Sequence, residues 1–264
     1  MSEGLSIAVV VAHPDDDAYG FAGMVALHAE DPGFRFILIH ATDGGEGDIR
    51  EGFPATRETL GVIRKAEDDA AWRALGRVPD RHEWLGIRDG DVDQVPLEEL
   101  AERVGGILEE EKPTVVCTFG PDGIFDHPDH IAIGAATDLA FSRLAAGSGT
   151  AFRRLLHGAI PQSVFERWQR QRAEKGLEPF DPTKRYHMRG IPDEEIGLEV
   201  DCRPVAKRIV AGLMEHRSQH HVMSDFAHDP DQWARVVTRD WSVVAWPPRA
   251  LGSPLLTDPF EGLP

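Results

Sequence analysis

The chain has 264 residues, 41% hydrophobic and 28% charged, too apolar for disorder and long enough for one α/β domain over residues 1–264. A net charge of −17 and a pI near 5.1 speak against nucleic acid or an anionic membrane as main partner, since both demand a cationic surface. Two cysteines, Cys117 and Cys202, are too few for a CxxC zinc knuckle or a disulfide framework.

From the N-terminus, LSIAVVVA (5–12) is an apolar run with no cationic segment before it, too short for a leader or a membrane span, and reads as a strand. A cytoplasmic protein without a membrane span is expected. Helical spacing follows from Ala18 to about Glu30, then a second strand, FRFILIHA (34–41). Thr56 to Gly76 places Leu60, Ile63, Glu67, Ala70, Ala71, Ala74 and Leu75 near one side of a helix, with Gly76 as its stop. HEWLG (82–86) is a strand, Pro96 to Glu111 a helix, and TVVCTFG (114–120) a strand in which Cys117 is a small core residue. A helix is expected from His130 to Ala146 and a strand from Arg154 to Ile160. Residues 161–190 read as a helix plus a polar excursion over the sheet rim, 196–202 as a strand, and Pro204 to Arg217 as a helix. The last forty residues, without a clean period, are expected to form a lid. Near-continuous apolar strands alternating with helices predict a Rossmann-like, doubly wound, mostly parallel sheet with helices on both faces.

AHPDDD (12–17) ends the first strand, the edge where open α/β sheets bind ligands. His13 and Asp16, separated by a turn that Pro14 forces, can face one crevice, and His plus carboxylate suits a zinc ion, which in catalytic sites takes three protein ligands and keeps one position open. Asp15, between them, is placed to act as general base on a water. The same acids also suit an Asx turn and helix N-cap, the role expected of Asp17. DHPDH (126–130) follows the fourth strand, again at its carboxyl edge. One of His127 and His130 completes a metal set while the other donates a proton or steadies an oxyanion. Asp129 is expected to accept a hydrogen bond from His127.

These two motifs resemble the signatures of the PIG-L and LmbE-like zinc-dependent N-deacetylases, a family that includes the deacetylases of mycothiol and bacillithiol biosynthesis. RKAEDDAAWRALG (64–76) is similar to its R-x-x-E helix. GIPDEEI (190–196) with Asp201, Lys207 and HRSQ (216–219) is similar to its C-terminal signature. The resemblance implies Zn2+ held by His13, Asp16 and His130, Asp15 as general base, His127 as amine-protonating or oxyanion-stabilising residue, and Asp129 as the carboxylate orienting it. It implies hydrolysis of an N-acyl group, foremost acetyl, from a small-molecule amino-sugar conjugate. Phe125 stands where some members carry a mobile tyrosine that polarises the carbonyl. TDGGEG (42–47) corresponds loosely to a substrate-contacting segment, which makes Glu46, and Arg50 and Arg57 just beyond it, candidates for substrate binding.

Two other readings stay open. A metallophosphoesterase wants two metals about 4 Å apart with a bridging carboxylate, and one clear ligand set counts against it. A non-catalytic sugar- or metal-binding member is suggested by Phe125, and Asp15 and His127 count against that. His216, His220, His221 and His228 lack a carboxylate at ligand spacing and read as a pocket rim, not a second metal site. The sequence leaves the sugar, and whether the chain forms a homo-oligomer, undetermined.

Overall fold

In the computed structural model, which describes residues 4–147, 149–220, 231 and 234–263, seven strands form one mixed sheet. Spatial order is β3 (Arg81–Trp84), β2 (Arg35–His40), β1 (Ser6–Val11), β4 (Val115–Phe119), β5 (Arg154–Gly158), β7 (Arg239–Trp246), β6 (Leu198–Asp201). The first five pair in parallel, and β7 and β6 join antiparallel. All six residues of β1 and all five of β4 are buried, as strands covered on both faces must be. The doubly wound sheet expected from the sequence is therefore present, with helices including α3 (Arg57–Leu75), α4 (Leu97–Glu111) and α6 (Pro128–Ala145) covering it. Among the described residues no helix is long and apolar enough to cross a membrane.

Two elements depart from expectation. The first predicted helix is broken at Phe21 (φ −138°) into α1 (Asp16–Gly20) and α2 (Ala22–Leu27). The break exposes a new helix start, which Asp240 of β7 captures by accepting the Met24 amide at 2.9 Å. Gly23 is required there, because any Cβ would collide with Cys202 Sγ and the Asp240 carboxylate. The C-terminal segment expected as a lid instead supplies β7, inserted between β5 and β6. Its inward positions include Asp240 and Ser242, so the alternation that marks a half-buried strand is not hydrophobic in this sequence. Residues 161–190 do form a helix, α7 (Gln162–Glu174), and then an excursion.

β1 has β2 on one side and β4 on the other, so the chain leaves β1 and β4 side by side at their carboxyl ends. That is the topological switch point of the sheet, and both His-Pro-Asp turns leave the strands there.

Candidate active site

The turn after β1 is strained. Asp15 has φ 111°, a conformation that costs a non-glycine residue about 1–3 kcal/mol and persists only where surroundings impose it. The buried Arg64 guanidinium imposes it, donating to Pro14 O at 2.6 Å, Asp15 Oδ2 at 3.1 Å and Gly44 O at 3.0 Å. Gly44 (φ 66°) has to be glycine, since a Cβ would collide with that guanidinium. Burial, helped by the Asp16 and Asp17 carboxylates and opposed by Arg64 and His13, pushes the Asp15 carboxyl up to about 7.

After β4 the backbone again visits the left-handed region, at Ile124 (φ 67°) and Asp126 (φ 61°), before Pro128 starts α6. His127 caps that helix: its Nδ1 accepts the Asp129 amide at 3.2 Å. An acceptor Nδ1 fixes the proton on Nε2, the atom left to face the crevice. Burial first, then the charges of His13 and His130, lower the His127 pKa to about 4, so the ring is a neutral hydrogen-bond donor at pH 7.

The two turns meet. His13 Nδ1 lies 3.2 Å from His130 Nε2 and 3.2 Å from Asp16 Oδ2, and His130 Nε2 lies 3.3 Å from Asp16 Oδ1. Three donors each ~2.0–2.2 Å from one tetrahedral ion are about 3.4 Å apart, close to what is seen. The outer nitrogens settle the tautomers. His130 Nδ1 donates to Gly123 O at 3.2 Å, and His13 Nε2 faces Asp89 Oδ1 at 3.0 Å and Asp129 Oδ2 at 3.3 Å. Without a metal, burial is outweighed by the Asp129, Asp16 and Asp89 carboxylates, which raise the His13 pKa well above the ordinary imidazole value; with a divalent metal bound, both inner nitrogens would offer it lone pairs beside the Asp16 carboxylate. His127 also has a donor atom within 4.8 Å of those of His13 and His130.

Asp129 does not accept from His127 as the sequence suggested. Its carboxylate binds His13 and accepts the Gly90 and Val92 amides at 2.8 and 3.2 Å. The reason is the cap: His127 uses its Nδ1 on the Asp129 backbone, which turns the Asp129 side chain inward. Asp89 and Arg64 join the site although the motif reading missed both as site residues. Asp89 belongs to a loop with no signature, whereas Arg64 opens the R-x-x-E motif inside α3, a resemblance that marked the helix but not the direction of this side chain.

Of the substrate-binding candidates, none contacts His13, Asp16 or His130. Glu46 pairs with Arg88 at 2.7 Å, and its amide donates to Asp89. Arg57 braces the Gly45 and Gly47 carbonyls, and Arg50 lies over Phe53 with Nη1 3.5 Å from His220. From the excursion, Tyr186 comes to the site instead. Its ring stands edge-on to His127 with centroids 5.3 Å apart, its amide donates to Phe125 O at 2.8 Å, and its side chain is largely exposed.

The R-x-x-E helix and the HRSQ segment, 151 residues apart, lock together: Glu67 accepts the Ser218 amide and hydroxyl at 2.8 and 2.7 Å. His216 beside it is buried with neither ring nitrogen hydrogen-bonded among the described residues; His221 and His228 lie outside those residues. Burial lowers the His216 pKa to about 4. Between pH 6.5 and 4 the unfolded chain takes up a proton that the folded chain refuses, so stability falls as pH falls through that window. Denaturant unfolding at pH 7 and pH 5 is expected to differ by about 2 kcal/mol from this residue. His216→Gln should remove that difference, and an unchanged pH slope would refute the assignment.

The chain is 31% identical over 251 residues to 1D-myo-inositol 2-acetamido-2-deoxy-alpha-D-glucopyranoside deacetylase of Kineococcus radiotolerans, an alignment covering 81% of this chain and 68% of that one. Its fold is similar to N,N'-diacetylchitobiose deacetylase from Pyrococcus horikoshii (TM-score 0.57, 20% identity, 90% of this chain and 82% of the other). It is as similar to GalB, the 4-carboxy-2-hydroxymuconate hydratase of Pseudomonas putida (TM-score 0.60, 16% identity, 95% and 100%), so fold alone does not choose the chemistry. The family described as PIG-L, GlcNAc-PI de-N-acetylase, matches residues 8–141, a span containing both His-Pro-Asp turns, Arg64 and Asp89. The chain belongs to the PIG-L family.

Proposed function

We propose that the protein is a zinc-dependent hydrolase removing an N-acetyl group from a glucosaminyl conjugate. The observation that carries this reading is the convergence of His13 Nδ1, His130 Nε2 and the Asp16 carboxylate at 3.2–3.3 Å, with Asp15 beside them. The mixed nitrogen and carboxylate set suits zinc, and membership of the PIG-L family supports an acetamido sugar. When bound, the ion polarises the amide carbonyl and acidifies a water.

Asp15 takes the proton of the attacking water, and a carboxyl pushed up to about 7 is matched to that task at neutral pH. His127, with its proton fixed on Nε2, donates a hydrogen bond to the carbonyl oxygen as charge develops there. Protonated Asp15 returns its proton to the departing nitrogen as the C–N bond breaks, giving free amine and acetate. Of the two roles that the sequence left to His127, this tautomer favours oxyanion stabilisation. Asp129 and Asp89 hold His13 in its ligand tautomer, so they are positioning residues.

Tyr186, whose ring stands edge-on to His127, is the residue we assign to supply the phenol that Phe125 lacks. Tyr186→Phe is expected to lower kcat/KM on the order of tenfold, the value of one hydrogen bond. Adding Phe125→Tyr to that variant should restore part of the loss, and a Tyr186→Phe enzyme with unaltered kinetics would remove the residue from the site. The function itself is tested by amine release from the zinc-loaded protein across a panel of N-acetylglucosaminides bearing inositol, malate, lipid or sugar aglycones. Release from at least one is expected, and none from any overturns the reading.

A further inference from the structure

Behind the active-site turn, α3 covers β2 and β3 and encloses a second set of metal-ligating side chains. His40 ends β2 and His82 lies on β3; because Leu38 pairs with His82, the two histidines project from the same face of the sheet. His40 Nδ1 and His82 Nε2 are 3.0 Å apart. Asp68 of α3 sits above them, with Oδ2 3.7 Å from His82 Nε2 and Oδ1 3.9 Å from His40 Nε2. One donor atom from each of the three lies within 4.8 Å of the others.

Asp68 is the informative residue. It is fully buried, and neither carboxylate oxygen has a hydrogen-bond partner among the described residues. Burial first, then the Asp17 carboxylate, raise the Asp68 pKa well above the ordinary carboxyl range, so without a cation the group is held protonated, and a metal ion beside it would take that proton's place. The histidines repeat the pattern of the active site. His40 Nε2 faces Asp17 Oδ1 at 3.3 Å and His82 Nδ1 faces Asp69 Oδ1 at 3.6 Å. The inner pair shares one proton in a hydrogen bond, and a metal ion that displaced it would find two ring lone pairs beside Asp68. Trp84 stacks on His40 at a 4.4 Å centroid distance, walling the cluster, while His82 keeps 15% side-chain exposure and with it a route for an ion.

We propose that His40, His82 and Asp68 form a second, structural binding site for a divalent transition metal of the zinc class. It shares no ligand with His13, Asp16 and His130, so it is not the second ion of a bridged catalytic pair. Its link to the active site is Asp17, which accepts from Trp72 Nε1 and faces His40. The ion would clamp β2, β3 and α3 behind the turn that carries Asp15.

The test is the zinc stoichiometry of the full chain. Metal-free protein is titrated with Zn2+ against a chromophoric chelator, and retained metal is counted by mass spectrometry after desalting. The wild type should hold two ions, and His82→Gln and Asp16→Ala one each. The ion kept by Asp16→Ala should raise its thermal midpoint, whereas the ion kept by His82→Gln should support activity. One ion on the wild type, or two on His82→Gln, overturns the proposal. Should His82→Gln not fold, Asp16→Ala decides: no retained ion overturns the second site, and one ion supports it. A wild type and an Asp16→Ala variant that both hold two ions would instead sink the active-site ligand assignment and leave this one standing.

Discussion

Asp15→Asn is expected to lower turnover by a factor on the order of 10² or more while the protein keeps the metal proposed for its active site. The substitution preserves size and the φ 111° backbone, which asparagine tolerates better than most residues. Under the proposed mechanism it removes the group that accepts the proton of the attacking water and returns it to the leaving nitrogen. Loss at both points is a transition-state loss of about 3 kcal/mol or more, so kcat and kcat/KM should fall together. Steady-state kinetics with a metal count checks this. Full activity in Asp15→Asn, or loss of activity caused by loss of the metal, would refute the base assignment.

Arg64→Met should destabilise the protein by about 3–5 kcal/mol, the range for leaving a buried charge without its partner. The Arg64 side chain is 6% exposed and joins three strands of chain: Pro14 and Asp15 after β1, Gly44 after β2, and its own helix α3. Without it two carbonyls and one carboxylate lose their donor, and the Asp15 backbone loses what holds it in a strained conformation. For a chain of this size the thermal midpoint should drop by roughly 10 °C. The kinetic signature is separate. Arg64 lowers the Asp15 pKa, so its removal shifts that pKa above 7 and moves the acid limb of the kcat/KM profile to higher pH. Arg64→Lys should recover part of the stability but cannot reach Pro14, Asp15 and Gly44 with two nitrogens at once. A pH profile that stays in place would show that the guanidinium is structural only.

Both predictions depend on residues that the sequence exposed to different degrees. His13, Asp15, Asp16, His127 and His130 lie in two short motifs, each at the end of an apolar strand, and spacing plus strand position sufficed to bring them to one edge. Arg64 lies on a helix whose apolar face was legible, but a sequence does not say which of a helix's polar residues points down into a turn. Asp89 carries no local signal at all. It reaches His13 because the loop after β3 runs past the carboxyl end of β1, and strand order is a long-range property. The same holds for Tyr186, which arrives from a polar excursion about sixty residues after His127.

Local chemistry alone determined the parallel core strands, the long α3, α4 and α6 helices, and the candidate metal and base residues. These rest on side-chain periodicity and on proline and glycine placement, which act within a few residues. Tertiary structure alone decided where β7 goes, where the first helix breaks, and which atom Asp129 binds. Asp240 shows why: a buried acid in β7 hides the strand from any hydrophobic pattern, yet its carboxylate fixes the start of α2, 216 residues earlier. Such pairings follow from closure of the whole sheet, and no local interaction encodes them.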